Sequence, residues 1–379
     1  MFGEKLGWER PNWYASADET AHDIYTFQRP NWHAPVGREH RAARETAALF
    51  DQTSFAKFIF KGPDAETALE WIAAGRMDRP VGSVIYTQML NDRAGIECDV
   101  TITRLAEDEF YIVTGTGFAT RDFHWIKSNI PAGLNAQLVD VTSSNAVLSL
   151  FGPKARDILA ACTRADVSHA AHPFATARRI GIAGCPVLAS RITYVGELGW
   201  ELHLPVEYAQ TVYDVLHGAG RDHGLTDAGY RAIETLRLEK GYRAWGSDIG
   251  PDHTPHEAGL GWAVKLKTDV DFKGRAAAEA QATSGVKKIL ATFTTDPDVI
   301  LFGRETIFRD GQRCGWLSSG GFGHTVGRSI GIGYVRADDV IDRDYVLSGH
   351  YQLEVATELV DADVTLTPLH DPGMSRIKS

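Results

Sequence analysis

Short runs with an apolar residue at every second position alternate along this chain with stretches whose apolar residues recur at helical spacing. FAKFIFKG (55–62) predicts a strand, and DAETALEWIAAG (64–75) a helix closed by Gly75. Before them, REHRAARETAALF within 37–50 predicts a helix with Ala42, Ala43, Ala47 and Leu49 toward a core. CDVTITRLAEDEFYIVTG (98–115) predicts two strands joined at Glu107-Asp108. NAVLSLFG (145–152) predicts a buried strand, and PKARDILAAC a helix with Pro153 near its start. RIGIAG, CPVLASRITYVG and GWELHLP are three strand-like runs between 179 and 205. YAQTVYDVLHGAG (208–220) and GYRAIETLRLEKG (229–241) predict helices, the second closed by Gly241.

The texture changes after about 277. KKILATFTT, ETIFRDGQRCGWLSS, SIGIGYV, YQLEVA and DVTLTPL are short strands separated by turn residues, and Asp310-Gly311 is a hairpin signal. Residues 277–379 therefore predict a separate all-β domain, barrel or sandwich. The preceding part is α+β rather than alternating βαβ. At the other end, Arg10-Pro11-Asn12-Trp13 recurs as Arg29-Pro30-Asn31-Trp32. Such a proline turn followed by a tryptophan predicts an extended arm, 1–36, clamped onto a core at 37–276.

Composition narrows the function classes. The chain has 379 residues, 44% hydrophobic and 23% charged, which is ordinary for a globular protein and excludes disorder or a coiled-coil rod. No apolar window is long enough for a membrane helix, and MFGEKLGWERPNWY lacks the apolar stretch of a secretory signal. Cys98, Cys162, Cys185 and Cys314 are far apart and form no CxxC pair, so the expected setting is a reducing cytoplasm. A net charge of −10 argues against a nucleic-acid partner.

Several chemical signatures are missing. No GxGxxG joins a strand to a helix, since Gly321-Phe322-Gly323 continues as His324-Thr325-Val326-Gly327. No flavin or NAD domain is therefore expected within this chain. His253, His256 and Glu257, and His169 with His172, have spacings a metal could use, but neither set resembles HExxH; packed or exposed histidines are expected and no metal. There is neither a GxSxG elbow nor a P-loop.

Four segments remain. Tyr86-Thr87-Gln88-Met89-Leu90 precedes a turn, after which Asp99 starts a β-branched run and can project into a cleft. Tyr194-Val195-Gly196-Glu197-Leu198-Gly199-Trp200-Glu201 joins two strand-like runs, bringing a ring and two carboxylates near two glycines that permit close approach. Tyr230, Arg231 and Arg237 share one helix, Arg237 being a salt-bridge candidate for Glu234 or Glu239. In PHEAGLGWAVKL, small residues precede Trp262, which could pack on a flat ligand.

Together these segments resemble the glycine-cleavage T-protein (aminomethyltransferase) family. YVGELGWELHLP is similar to its YTGExGxE hairpin, LRLEKGYRAWGSDI and EAGLGWAVKL to the motifs that follow, and GWLSSGGFGHTVGRSIGIGYV to its C-terminal domain. GWERPNWY, NWHAPVGREHRAAR and LEKGYRAWG resemble the folate-binding C-terminal half of dimethylglycine and sarcosine dehydrogenases. The resemblance runs from Gly7 to about residue 370. It implies a three-lobed α+β fold around a folate channel, with two lobes in 37–276 and a C-terminal β-barrel. It implies a tetrahydrofolate-dependent one-carbon transferase, taking carbon from an N-methylated amine and giving 5,10-methylenetetrahydrofolate. A separate flavoprotein would supply the oxidised carbon. The alternatives are a direct O- or S-methyl demethylase, a folate-binding regulator and an oxidase subunit. By motif, Tyr86 and the catalytic Asp99 fall at the substrate end, Tyr194 and Glu201 at the pterin, and Trp262 in the GW segment. The family's arginine falls on Ile233, leaving Arg231 as its substitute.

Overall fold

The computed structural model describes residues 1–379 as two open sheets and a closed barrel, with a short hairpin at the N-terminus. The first sheet runs Ala177–Ile182, Cys185–Ser190, Gly199–Pro205, Asn145–Phe151, Ala47–Asp51 and Leu225–Ala228. Only the last strand is parallel to its neighbour. The second sheet, wholly antiparallel, runs Val84–Leu90, Ile96–Arg104, Glu109–Thr114, Ala56–Lys61 and Gln137–Asp140. Val286–Thr295, Arg328–Ile341, Gln312–Gly323, Thr306–Arg309, Tyr351–Val355 and Glu358–Thr365 close the barrel, which leaves no open edge.

Each open sheet buries one face under helices. Trp200, Leu202, Leu204, Leu148 and Leu150 pack with Ile158 and Leu159 of helix Ala155–Cys162 and with Val212 and Leu216 of Ala209–Gly220. In the second sheet Cys98, Val100, Ile102, Phe110 and Ile112 pack with Leu69 of helix Ala65–Ile72 and Ile126 of Ala119–Ser128. Burying each of these large side chains contributes about 1.5–3 kcal/mol, so the outer faces hold both lobes together, while the inner face of the first sheet is apolar around Ala48, Phe50 and Phe151 and polar at Ser149, Glu201 and His203.

One predicted helix ends early. It spans His33–Glu45, and Ala47–Asp51 is a strand instead of its last turn. Ala47 and Leu49 join one core cluster while Ala48 and Phe50 join another. A strand buried on both faces loses its apolar–polar alternation and reads as a continuing helix. Thr46 marks the break, its hydroxyl donating to the carbonyls of Ala42 and Gly224.

In the arm, Phe2–Lys5 pairs with Trp8–Pro11. The two RPNW copies have different roles: Trp13 is fully buried beside Val36, Phe50 and Leu236, whereas Trp32 lies partly exposed under Arg231. Helix Arg275–Ser284 packs its Ala278 with Ala74, Leu90 and Phe272, and the first barrel strand starts at Val286. Helix Tyr230–Lys240 lies where the lobes meet. Leu236, Arg237, Leu238, Glu239 and Lys240 are all buried, Leu236 against the first lobe and Leu238 against the barrel.

Candidate functional site

Strand register places the site. In the second sheet Gln88 pairs with Asp99, Tyr86 with Thr101, Thr101 with Val113 and Thr103 with Tyr111. Paired residues share a face, and so do alternate residues of a strand. Tyr86, Gln88, Asp99, Thr101, Thr103, Tyr111 and Val113 therefore stand together, opposite the buried face of Cys98, Val100 and Ile102. In the first sheet Glu201 pairs with Ser149 and Ser190, and His203 with Val147, opposite the buried Trp200 and Leu202. Tyr111 and His203 join the two inner faces, hydroxyl to Nδ1 at 3.2 Å with the rings edge-on at 5.3 Å. The two inner faces are thus walls that meet at Tyr111 and His203, with Asp99 on one and Glu201 on the other.

Asp99 sits on one wall. Its Oδ1 accepts a hydrogen bond from Gln88 Nε2 at 2.9 Å, and Tyr86 faces it from the diagonal position. Burial raises the carboxyl from the ordinary carboxylate range to about 6; Gln88, Tyr86 and the Arg243 charge oppose the rise, and Asp122 adds to it. A group so poised can take or release a proton near neutral pH. Burial, reinforced by the Asp99 charge, pushes the Tyr86 phenol well up, so it stays a neutral donor. The Tyr86 ring lies 5.8 Å from that of Trp262, which is 73% exposed in the turn Gly261–Ala263.

Glu201 sits on the other wall. Its side chain is 13% exposed, and Oε2 is 3.5 Å from His203 Nε2. His203 is the one protein donor near this carboxylate, which leaves most of its acceptor capacity open. The hairpin's other acid, Glu197, is consumed: it is buried and held by Arg44 at 3.1 Å, His370 at 2.9 Å and Arg376 at 2.7 Å. The two carboxylates therefore divide into one structural and one available. Gly196, at φ +79°, lies against the Lys240 stem, where a Cβ would be 2.8 Å from Cδ. At Gly199 a Cβ would be 2.2 Å from the Leu150 carbonyl oxygen, so only glycine lets the Glu201 strand pair there.

Tyr194 donates its hydroxyl to the Arg243 carbonyl at 2.9 Å and stacks on Tyr242, with centroids 5.9 Å apart. Burial raises its phenol.

Arg231 is not among the groups brought together. Its guanidinium covers Trp32 at 3.6 Å and pairs with Asp23 at 2.6 Å, both on the N-terminal arm. The helix's first turn faces that arm, and its partners there claim the side chain. Arg231→Ala is expected to cost about 1–2 kcal/mol of stability through loss of this contact and of packing on Trp32, with no change in ligand affinity; thermal denaturation and calorimetry on the same variant check this.

Two other arginines lie near these groups, Arg237 acting on Tyr194 and Arg243 on Asp99. Arg237, 1% exposed, binds Glu234, Asp248 at 2.8 Å and Ser319 Oγ at 2.7 Å, tying its helix to the barrel. Arg243 donates to the carbonyls of Ala258 at 2.9 Å and Gly241 at 2.7 Å, and its charge acts on both Asp99 and Tyr86. Arg243 lies in GYRAWGSD, a segment whose sequence carried the signal although no role fell on that residue.

Residues 1–268 match the GCVT N-terminal domain and residues 288–371 the glycine cleavage T-protein C-terminal barrel domain. The chain is 38% identical to mouse (Mus musculus) mitochondrial sarcosine dehydrogenase, over all of this chain and 46% of that protein. It is 33% identical to the aminomethyltransferase of Symbiobacterium thermophilum, over 87% of this chain and 84% of that one. The crystal structure of glycine cleavage system aminomethyltransferase T from Bartonella henselae superimposes with a TM-score of 0.82 at 26% identity, covering 98% of this chain and 94% of that one. The chain thus spans about half the length of the dehydrogenase it matches.

Proposed function

The chain belongs to the glycine cleavage T-protein family, and from that premise we propose that it transfers a one-carbon unit from an N-methylated amine to tetrahydrofolate. One observation supports the reading: Asp99 and Glu201 lie on the inner faces of two sheets that meet at Tyr111 and His203, Glu201 with most of its acceptor capacity unfilled. A pterin's 2-amino group and ring N–H form a flat donor edge that satisfies such a carboxylate through paired charge-assisted bonds. Bound tetrahydrofolate supplies the nucleophilic nitrogens. Glu201 holds and orients the ring, while Tyr86 and Trp262 offer aromatic surface. Asp99 accepts a proton as a nitrogen attacks the incoming carbon and returns it when water or amine departs.

The carbon arrives at the oxidation level of formaldehyde or an iminium, made by a flavoprotein from a sarcosine- or dimethylglycine-like amine. The product is 5,10-methylenetetrahydrofolate. Mouse sarcosine dehydrogenase, similar over this whole chain, supports that donor class.

The test measures loss of free tetrahydrofolate with the purified chain, first with formaldehyde and then with methylated amines and a flavoprotein dehydrogenase. The expected result is a rate above the uncatalysed one that disappears in Asp99→Asn. Tight folate binding without acceleration under any condition would overturn the transferase reading in favour of a folate-binding regulator.

A further inference from the structure

We propose that Gln88 is a positioning residue for Asp99, its carboxamide fixing the carboxylate against the sheet and holding it ionised. This rests on the reading of Asp99 given above. The two residues are directly opposed on adjacent antiparallel strands, so the bond spans a register pair and cannot slide. Gln88 is fully buried, and its strand is anchored there: the Gln88 carbonyl accepts from the Ala74 amide at 2.8 Å. Gln88 Nε2 donates to Asp99 Oδ1 at 2.9 Å, while Oε1 is buried with no donor at all.

That unpartnered oxygen is informative. A buried acceptor without a donor is unfavourable, and such groups are uncommon in folded proteins. Nothing on the oxygen side sets the orientation of this amide; only Asp99 does. Turning the amide over would set Oε1 against Oδ1, which is repulsive while Asp99 is ionised and favourable once Asp99 carries a proton to donate. The amide orientation and the proton on Asp99 are therefore coupled. The other groups acting on the carboxylate are Tyr86 from the adjoining strand, Asp122 from helix Ala119–Ser128, Arg243 from the segment after helix Tyr230–Lys240, and Tyr194. Among these Gln88 makes the strongest contribution favouring the ionised form.

The test titrates Asp99 directly on the unliganded chain by carboxyl carbon NMR, the resonance being assigned with Asp99→Asn. Gln88→Met keeps the length and apolar packing of the side chain and removes the donor. Its expected effect is to raise the Asp99 midpoint by about one pH unit, the usual worth of a hydrogen bond to a charged group. The acid limb of the turnover profile should move by the same amount. In the unaltered protein, the Gln88 side-chain amide resonances should shift through the Asp99 midpoint, a reading that needs no variant to fold. An unmoved midpoint in folded Gln88→Met, or Gln88 amide resonances indifferent to pH across it, would overturn the proposal. Because the titration needs neither folate nor a methyl donor, its outcome is separate from that of the transferase reading.

Discussion

Asp99→Asn is expected to lower turnover by roughly 10²–10³-fold while leaving the folate dissociation constant nearly unchanged. The substitution preserves size but removes the negative charge and the proton-accepting oxygen, which act on charge that develops during transfer. The same variant is expected to be more stable than the parent at pH 8. The folded-state value of Asp99 is raised from 3.8 to about 6 by burial. The stability this group allows is therefore complete below about pH 4 and is lost as pH rises through about 6. Above that, the folded protein carries a half-buried charge that the unfolded chain hydrates freely. Neutralising it should return on the order of 2 kcal/mol, a rise of a few degrees in melting temperature. Activity and stability thus move in opposite directions. A purely structural Asp99 would do the reverse, losing stability and keeping specific activity. Melting temperature at pH 4 and pH 8, folate affinity and turnover on one preparation decide between them, and the stabilisation should vanish at the lower pH.

The parts of the fold visible in the sequence are those where periodicity and burial coincide. Strands such as Ala56–Lys61 and Ile96–Arg104 have one apolar face under helices and one mixed face, so their alternation is readable. Ala47–Asp51 is buried on both faces and is not. Helix Tyr230–Lys240 shows the same effect, since Arg237, Glu239 and Lys240 are as buried as Leu236 and Leu238. Glu239 is matched by Arg44 and Lys240 by Asp371, both distant in sequence, and the local Arg237–Glu234 pair reads as an ordinary surface ion pair, so no local pattern announces the burial.

The site divides along a similar line. Tyr86, Gln88 and Asp99 meet through one hairpin, and hairpin pairing follows from strand length and turn. That Glu201 lies on the inner face meeting theirs requires knowing which sides of two sheets meet, and the Tyr111–His203 contact linking those sides spans 92 residues of sequence. The placement of Arg231 was beyond motif spacing because its partners, Asp23 and Trp32, lie in the part of the arm between the hairpin and helix His33–Glu45, which has no regular helix or strand.

Removing Glu201 should have the larger effect on binding. Glu201→Ala is expected to weaken tetrahydrofolate binding by about 2–4 kcal/mol, or roughly 30- to 1,000-fold in dissociation constant. Two charge-assisted acceptors vanish and the ligand's N–H groups are left facing the His203 ring, which offers no carboxylate geometry. Glu201→Gln retains the shape but turns one acceptor into a donor aimed at donors, so it should recover only part of the loss. Tyr194 provides the contrast. Its hydroxyl hydrogen is already committed to the Arg243 carbonyl, so Tyr194→Phe should cost only on the order of 1 kcal/mol, felt as a loosening of the Arg243 segment. Its ring, stacked on Tyr242, remains in place. Calorimetric titration of the three variants with tetrahydrofolate separates these effects. The expected order of weakening is Glu201→Ala, then Glu201→Gln, then Tyr194→Phe. Equal affinities for parent and Glu201→Ala would place the ligand elsewhere, because the hairpin's other carboxylate, Glu197, is already held by Arg44, His370 and Arg376.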